Sequence, residues 1–455
     1  MHEREPASFY ARRRVLAGLA SSTAGALAPR PLAAAARRSG ARWIEPYDFP
    51  LEDPFAATVV GTPPALEAER PELRLGVNAW RERVGVLVER PIPDVFWYDR
   101  RGLGYGVAHQ PGAAPLVVLI AGTGGAFNSR TTQILARGLL AGGCHVLGIS
   151  SPTFGNFQTT ASSTGVPGRL AEDARDLERA IAAILPAVER RIRVTGLHLA
   201  GYSLGAAHAA HLARRDAAHR RFGFERVLLL NPPKSLFSSL RIVDGLFEKH
   251  LAGPGRGRAF VDRAFDAFAE LQRQAGGALD TSREFLYAAY RALQPGRDTL
   301  EALVGLVFRL MATNLAFVAD VLTGSGYLVA PDAPLGPTSS LTNVFVAGNR
   351  LSFEQFLDDL FVPYFRAREP DFGREKAIAE QDLAAIEPFL REDRRLGLVT
   401  SADDIILAPG ELAWFEAVFG RRAVIFPRGG HCGNYAERRF VEELGAFFHS
   451  GWAGR

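Results

Sequence analysis

The chain has 455 residues, 47% of them hydrophobic, which is ample for a large core and long for one ordinary domain. Its formal charge of +4 is concentrated in the first 40 residues, where seven arginines face two acids, so that the remainder carries −1. A near-neutral body argues against a nucleic-acid partner, and the absence of any internal repeat or biased tract argues against a solenoid or a disordered chain.

In chain order, the basic leader comes first. Arg12-Arg13 is followed by Arg14, Val15 and Leu16, then by a Gly/Ala/Ser-rich segment to about Ala28 and by PRPLAAAA. The pattern resembles a twin-arginine export signal, with alanines 33 to 36 as candidate cleavage positions. A functional leader implies a periplasmic or secreted protein. A plain basic tail, the other reading, implies a cytoplasmic one. The apolar segment is too short to span a membrane.

Segments 82–88 and 94–99 read as early strands, with 103–109 a hairpin partner. PLVVLIAG (115–122) is a continuous apolar run, as expected of a strand buried on both faces. TTQILARGLLAGG follows as a helix, and CHVLGIS (144–150) as the next strand. A long helix is predicted where Leu170, Ala174, Leu177, Ile181 and Ile184 recur at helical spacing. IRVTGLHLAG (192–201) is a strand, GAAHAAHLARRD a helix, and ERVLLLNP (225–232) a strand.

This alternation predicts an α/β fold: a mostly parallel sheet with helices on both faces and ligands at the carboxyl ends of its strands. It stops after Asn231 and resumes with LGLVT (396–400), a helix at 409–419, RAVIF (422–426) and a final helix near 436–449. The reading is therefore a leader at 1–40, a core formed by 41–234 and 396–455, and a helical cap of 235–395 inserted after the sixth strand. Cys144 at a strand start and Cys432 on a loop near the opposite sheet edge are too far apart to bridge, so two free thiols are expected.

GYSLG (201–205) places Ser203 between two glycines. G-x-S-x-G alone is a weak signal. Here an apolar strand runs into it and a small-residue helix leaves it, the strand–turn–helix setting of a nucleophile elbow. A serine needs a base, and the base an orienting carboxylate. His431, in FPRGGHCGNY after RAVIF, is the candidate base. The acid is Asp404 or Asp403, both after LGLVT. Asp404 is favoured by its distance from the proline before the next helix. The other would be a neighbour of that helix's N-terminus or an acceptor behind the site. Oxyanion donors are expected from the N–H of Leu204 and from the AGTGGAF loop, with Thr123 first and Gly124 next.

Together GYSLG, IAGTGG, SADD and GGHCG, in that order, resemble the α/β-hydrolase superfamily over about residues 80–235 and 395–450. The chain is most similar to its serine aminopeptidase-like and monoacylglycerol-lipase-like branch. The resemblance implies hydrolysis through an acyl-enzyme without a cofactor. Carboxylic esters are the expected substrates. Amide cleavage, or ligand binding without catalysis, are the alternatives. The cap is longer than is usual in that branch.

Within the cap, Phe260, Phe265, Phe268 and Leu271 share one helical side. The segment 299–322 is apolar nearly all round, interrupted by Glu301, Arg309 and Asp320, so it reads as a core helix or the wall of an acyl pocket rather than a membrane span. Few basic residues line these helices, which favours a small apolar acyl substrate over an anionic one. No metal constellation is evident: the ten histidines form no H-E-x-x-H, and His208 and His211, with no acid beside them in sequence, read as helix-surface residues.

Overall fold

The computed structural model describes residues 40–253, 255–274, 283–449 and 452. The twin-arginine-like leader and its alanines lie outside these residues, and so do the side chains of Phe265, Phe268 and Leu271.

The apolar runs become strands of a single sheet. In chain order they are β1 (Arg42–Trp43), β2 (Ala79–Val84), β3 (Leu103–Ala108), β4 (Ala114–Ile120), β5 (His145–Ile149), β6 (Val194–Tyr202), β7 (Arg226–Leu230), β8 (Leu396–Ser401) and β9 (Ala423–Phe426). Their spatial order is β1-β9-β8-β7-β6-β4-β5-β3-β2. β2 and β3 pair antiparallel, as do β3 and β5, and all other pairs are parallel.

Eight helices matter here. They are α1 (Pro54–Val60), α2 (Arg130–Ala141), α3 (Leu170–Glu189), α4 (Leu204–His219), α5 (Leu236–Leu251), α6 (Arg297–Thr323), α7 (Glu411–Phe419) and α8 (Arg438–His449). The continuous apolar strands serve two cores at once, because successive side chains alternate faces. Leu116, Val118 and Ile120 of β4 pack with α3, α4 and α7. Val117 and Leu119 pack with Leu135 and Leu139 of α2 and with Phe440 and Leu444 of α8.

Two early strands differ from expectation. Residues 94–99 are not a strand: Asp94–Arg101 is a 3₁₀ segment entered from Pro93. Its aromatic run suits a strand by propensity. The prolines at 91 and 93 instead break the extended chain and set the φ of a tight turn. The strand expected at 82–88 lies earlier, at Ala79–Val84, where it pairs with β3. With β1 added at one edge, the helical insertion follows the seventh strand counted along the chain.

Between β7 and β8 the described elements are helical. α5 and α6 are the main packed pair. Glycine at 305 lets the two backbones meet, since a Cβ there would lie 2.5 Å from the Phe247 nitrogen. Arg309, 1% exposed, donates to Asp244 Oδ1 at 3.0 Å and to Glu248 Oε1 at 2.9 Å. An arginine so buried demands such partners.

α6 is long and apolar enough to cross a bilayer by length and composition. The three charges within its 299–322 stretch, however, are engaged within the protein. Glu301 is bonded by Lys249, His250 and Arg297. Asp320 accepts from the backbone N–H groups of Tyr327, Leu328 and Val329. α6 is a core helix of the insertion.

Candidate active site

The carboxyl end of β6 runs directly into Ser203, and α4 begins at the next residue. Ser203 has φ 55° and ψ −130°, a strained conformation for a residue with a Cβ. The surrounding backbone holds it there. The Ser203 N–H donates to the Leu230 carbonyl at 2.8 Å. A Cβ at Gly205 would sit 2.4 Å from the Ile120 carbonyl oxygen, and one at Gly201 would sit 2.0 Å from that of Gly205. Both flanking positions are glycine because backbone crosses backbone there.

The other two side chains reach this turn from the ends of β8 and β9. His431 Nε2 lies 2.9 Å from Ser203 Oγ. Its Nδ1 lies 3.0 Å and 3.1 Å from the two Asp404 oxygens. An ionised carboxylate only accepts, so Nδ1 carries the proton and Nε2 is free to accept from the serine. Burial alone would push the His431 pKa down. The Asp404 carboxylate, with a smaller contribution from Cys432, more than offsets this and holds the imidazole well above the usual histidine range. Serine, acid and histidine thus meet at the carboxyl ends of the parallel strands β6, β8 and β9, in that chain order.

The fold is the α/β-hydrolase fold.

No family model matches the sequence, and no curated protein matches it. Among solved structures the chain is similar to Est1E from Butyrivibrio proteoclasticus, at 11% identity over 76% of this chain and 93% of that one, with a TM-score of 0.33. It is similar to proline iminopeptidase from Mycobacterium smegmatis, at 17% identity over 80% and 97%, TM-score 0.36. It is also similar to a Pyrobaculum calidifontis esterase, at 14% identity over 87% and 89%, TM-score 0.37. Likeness at these values carries no argument about substrate. The fold assignment rests on the sheet order, the turn at Ser203 and the residues that meet there.

Of the two adjacent aspartates, Asp404 lies against the imidazole. It also accepts from Asn231 Nδ2 at 2.8 Å and from the Ile406 N–H at 3.2 Å. Asp403 turns the other way and accepts from the Gly429 N–H at 3.2 Å and the Gly430 N–H at 2.9 Å. It bonds the loop that carries His431. It does not neighbour the next helix's N-terminus, because that helix starts at Glu411.

Burial, opposed by these two N–H groups and aided by the charge of Asp404, raises the Asp403 pKa from 3.8 to about 6. The folded chain therefore holds this proton more tightly than the unfolded chain. The resulting stabilisation is present below pH 3.8 and is lost as pH rises through about 6. It amounts at most to about 3 kcal/mol. In chemical denaturation at a series of pH values, wild type should lose stability relative to Asp403→Asn across that window. A pH-independent difference between the two would contradict the assignment.

Thr123 and Leu204 both line an apolar cavity beside the serine. Neither N–H has a partner among the described residues, so both remain available to an oxyanion. Gly124 differs, because its N–H donates to Thr153 Oγ1 at 2.8 Å. The cavity encloses ≈ 70 Å³ and is walled by the insertion, notably Leu236, Phe237 and Leu240 of α5, Leu315 of α6, and Phe356 and Phe361. α6 thus serves as both core helix and cavity wall. Its Met311 also covers the oxyanion loop, 3.1 Å from where a Gly124 Cβ would be. Ser203 is only 8% exposed beneath this cover.

Two histidines correct the sequence reading. His208 and His211 are buried, not on a helix surface. α3 packs with α4 in the same core, and brings in an acid from outside the local sequence. His208 Nε2 meets Asp173 Oδ2 at 3.0 Å, while burial, then His208 and Arg214, push His211 down to about 3. Both cysteines are free thiols.

Among the described residues, His250, Asp298 and Glu301 have ligand-type atoms within 4.8 Å of one another, a grouping the sequence spacing hid. Lys249 Nζ at 2.7 Å and Arg297 Nε at 2.9 Å already neutralise Glu301. Burial acts to raise this carboxyl, yet the bonds from Lys249, His250 and Arg297 bring it to about 2. The donor set suits the side-chain cations it holds better than a metal ion.

Asn231 was not anticipated. It is buried at the end of β7 with φ 46°, and its amide bonds the acid. The available signal was its position, the first polar residue after VLLL at a strand's carboxyl end.

Proposed function

We propose that the protein is a serine hydrolase that cleaves carboxylic esters with apolar acyl groups. The observation that supports this most is the hydrogen-bonded line from Ser203 through His431 to Asp404, next to an apolar cavity lined by Leu204 and Thr123.

Ser203 Oγ attacks the ester carbonyl while His431 Nε2 takes its proton. The carbonyl oxygen becomes an oxyanion held by the Leu204 and Thr123 N–H groups. His431 then protonates the leaving alkoxide, and the acyl group stays on Ser203. Water, deprotonated by the same nitrogen, adds to the acyl carbon. Collapse releases the acid and returns the proton to Ser203. Asp404 remains ionised and stabilises the imidazolium.

The lining also bears on ester against peptide. An aminopeptidase needs a free carboxylate for the substrate's ammonium group. Glu354 is the acid in this lining, and Arg374 already pairs with it. A panel of esters of rising acyl length, each matched with its amide, tests the reading. Turnover should favour the ester at every length and rise from acetyl toward the chain that fills the apolar slot. Preferential cleavage of the amides would overturn it.

A further inference from the structure

We infer that helix α1, through Thr58, is a positioning element for His431, holding the backbone of the base where its ring can span Ser203 and Asp404. The inference rests on the hydrolase reading above, and Thr58 itself touches no reacting atom.

α1 is built to present this hydroxyl. Asp53 Oδ1 caps its first turn, accepting from the Phe55 N–H at 2.8 Å. Thr58 Oγ1 donates to the Pro54 carbonyl at 2.7 Å. That commits its proton and leaves a lone pair, which accepts the His431 N–H at 2.9 Å. Contact between the two segments is close. Gly430 has φ 55°, and a Cβ there would lie 2.2 Å from the Pro54 oxygen and 2.5 Å from Thr58 Oγ1. A Cβ at Gly433 would lie 2.1 Å from the Ala57 oxygen. Thr62 Oγ1 donates to the Gly433 carbonyl at 3.0 Å. Asp403 also bonds this loop, through the Gly429 and Gly430 N–H groups.

The other face of α1 packs elsewhere. Phe55 and Ala56 share a cluster with Val304 and Ala312 of α6 and with Ile405 and Ile406 beside the acid. One short helix therefore contacts the base loop, the acid loop and the insertion.

Thr58→Val keeps the shape of the side chain and removes the acceptor. A base shifted by a fraction of an ångström should lower kcat by about 10–100-fold, with KM changed by less than about twofold. Fluorophosphonate labelling of Ser203 should slow in the same proportion. Thr58→Ser, which keeps the hydroxyl, should restore both rates. Folding is checked by near-UV circular dichroism and melting. Should the valine variant misfold, Thr58→Ala against Thr58→Ser makes the same comparison.

A valine variant with wild-type kcat per labelled site, whatever its Tm, would overturn the inference and leave Thr58 a structural contact only. A serine variant as slow as the valine variant would overturn it equally. Folded wild type that takes no label would instead overturn the hydrolase reading, and this inference with it.

Discussion

Ser203→Ala and His431→Ala are each expected to lower ester turnover by about 10⁵–10⁶-fold, and the double variant by no more than either alone. The reason is geometric. With Nε2 and Oγ 2.9 Å apart, nucleophile and base work as one unit, and removing either leaves nothing for the other to do. What survives should be the contribution of the oxyanion donors and of binding. Both substitutions only shorten side chains, so folding should persist, and circular dichroism verifies it. Turnover retained in purified, folded Ser203→Ala would refute the assigned nucleophile. A double variant much slower than either single would refute the shared step.

Asp404→Asn should cost about 10⁴-fold in kcat. An amide facing Nδ1 can donate where the carboxylate could only accept, which favours the tautomer that points a proton at Ser203. The substitution also changes the pH profile. His431 must be neutral to act, so kcat/KM rises with pH through its pKa in the free enzyme. Asp404 holds that pKa well above the usual histidine range, which puts the acid limb of wild type on the alkaline side of an ordinary histidine. Losing the carboxylate removes the largest contribution opposing burial, so the limb of the residual activity should move to lower pH. Asp403→Asn, which faces the glycine N–H groups, should cost far less. Equal losses at the two positions, or an acid limb unmoved in Asp404→Asn, would contradict the assignment of the acid.

The parts of this site that were legible in the sequence are those tied to strand ends. Ser203 and His431 each follow an apolar run directly, and a parallel sheet brings the carboxyl ends of such runs together. The two aspartates could be narrowed only to a pair. One residue of loop turns a side chain from the imidazole to the glycines, and nothing in SADD states which way the loop turns. Asn231 and Thr58 act across more than a hundred residues of chain, with no local pattern to mark them. His208 and His211 misled because a helix with a polar residue every third or fourth position looks exposed. Here α3 lies over that face and supplies Asp173. Residues 94–101 misled in the opposite sense, their strand-forming aromatics overruled by the prolines before them.

The proposed reaction requires the buried hydroxyl of Ser203 to be an activated nucleophile. The most direct test is to treat the purified protein with a fluorophosphonate and follow the adduct by intact mass and peptide mapping, alongside Ser203→Ala and His431→Ala. One adduct per chain is expected, on Ser203, absent from both variants. Folded wild type without an adduct, or an adduct that persists in Ser203→Ala, would contradict that requirement.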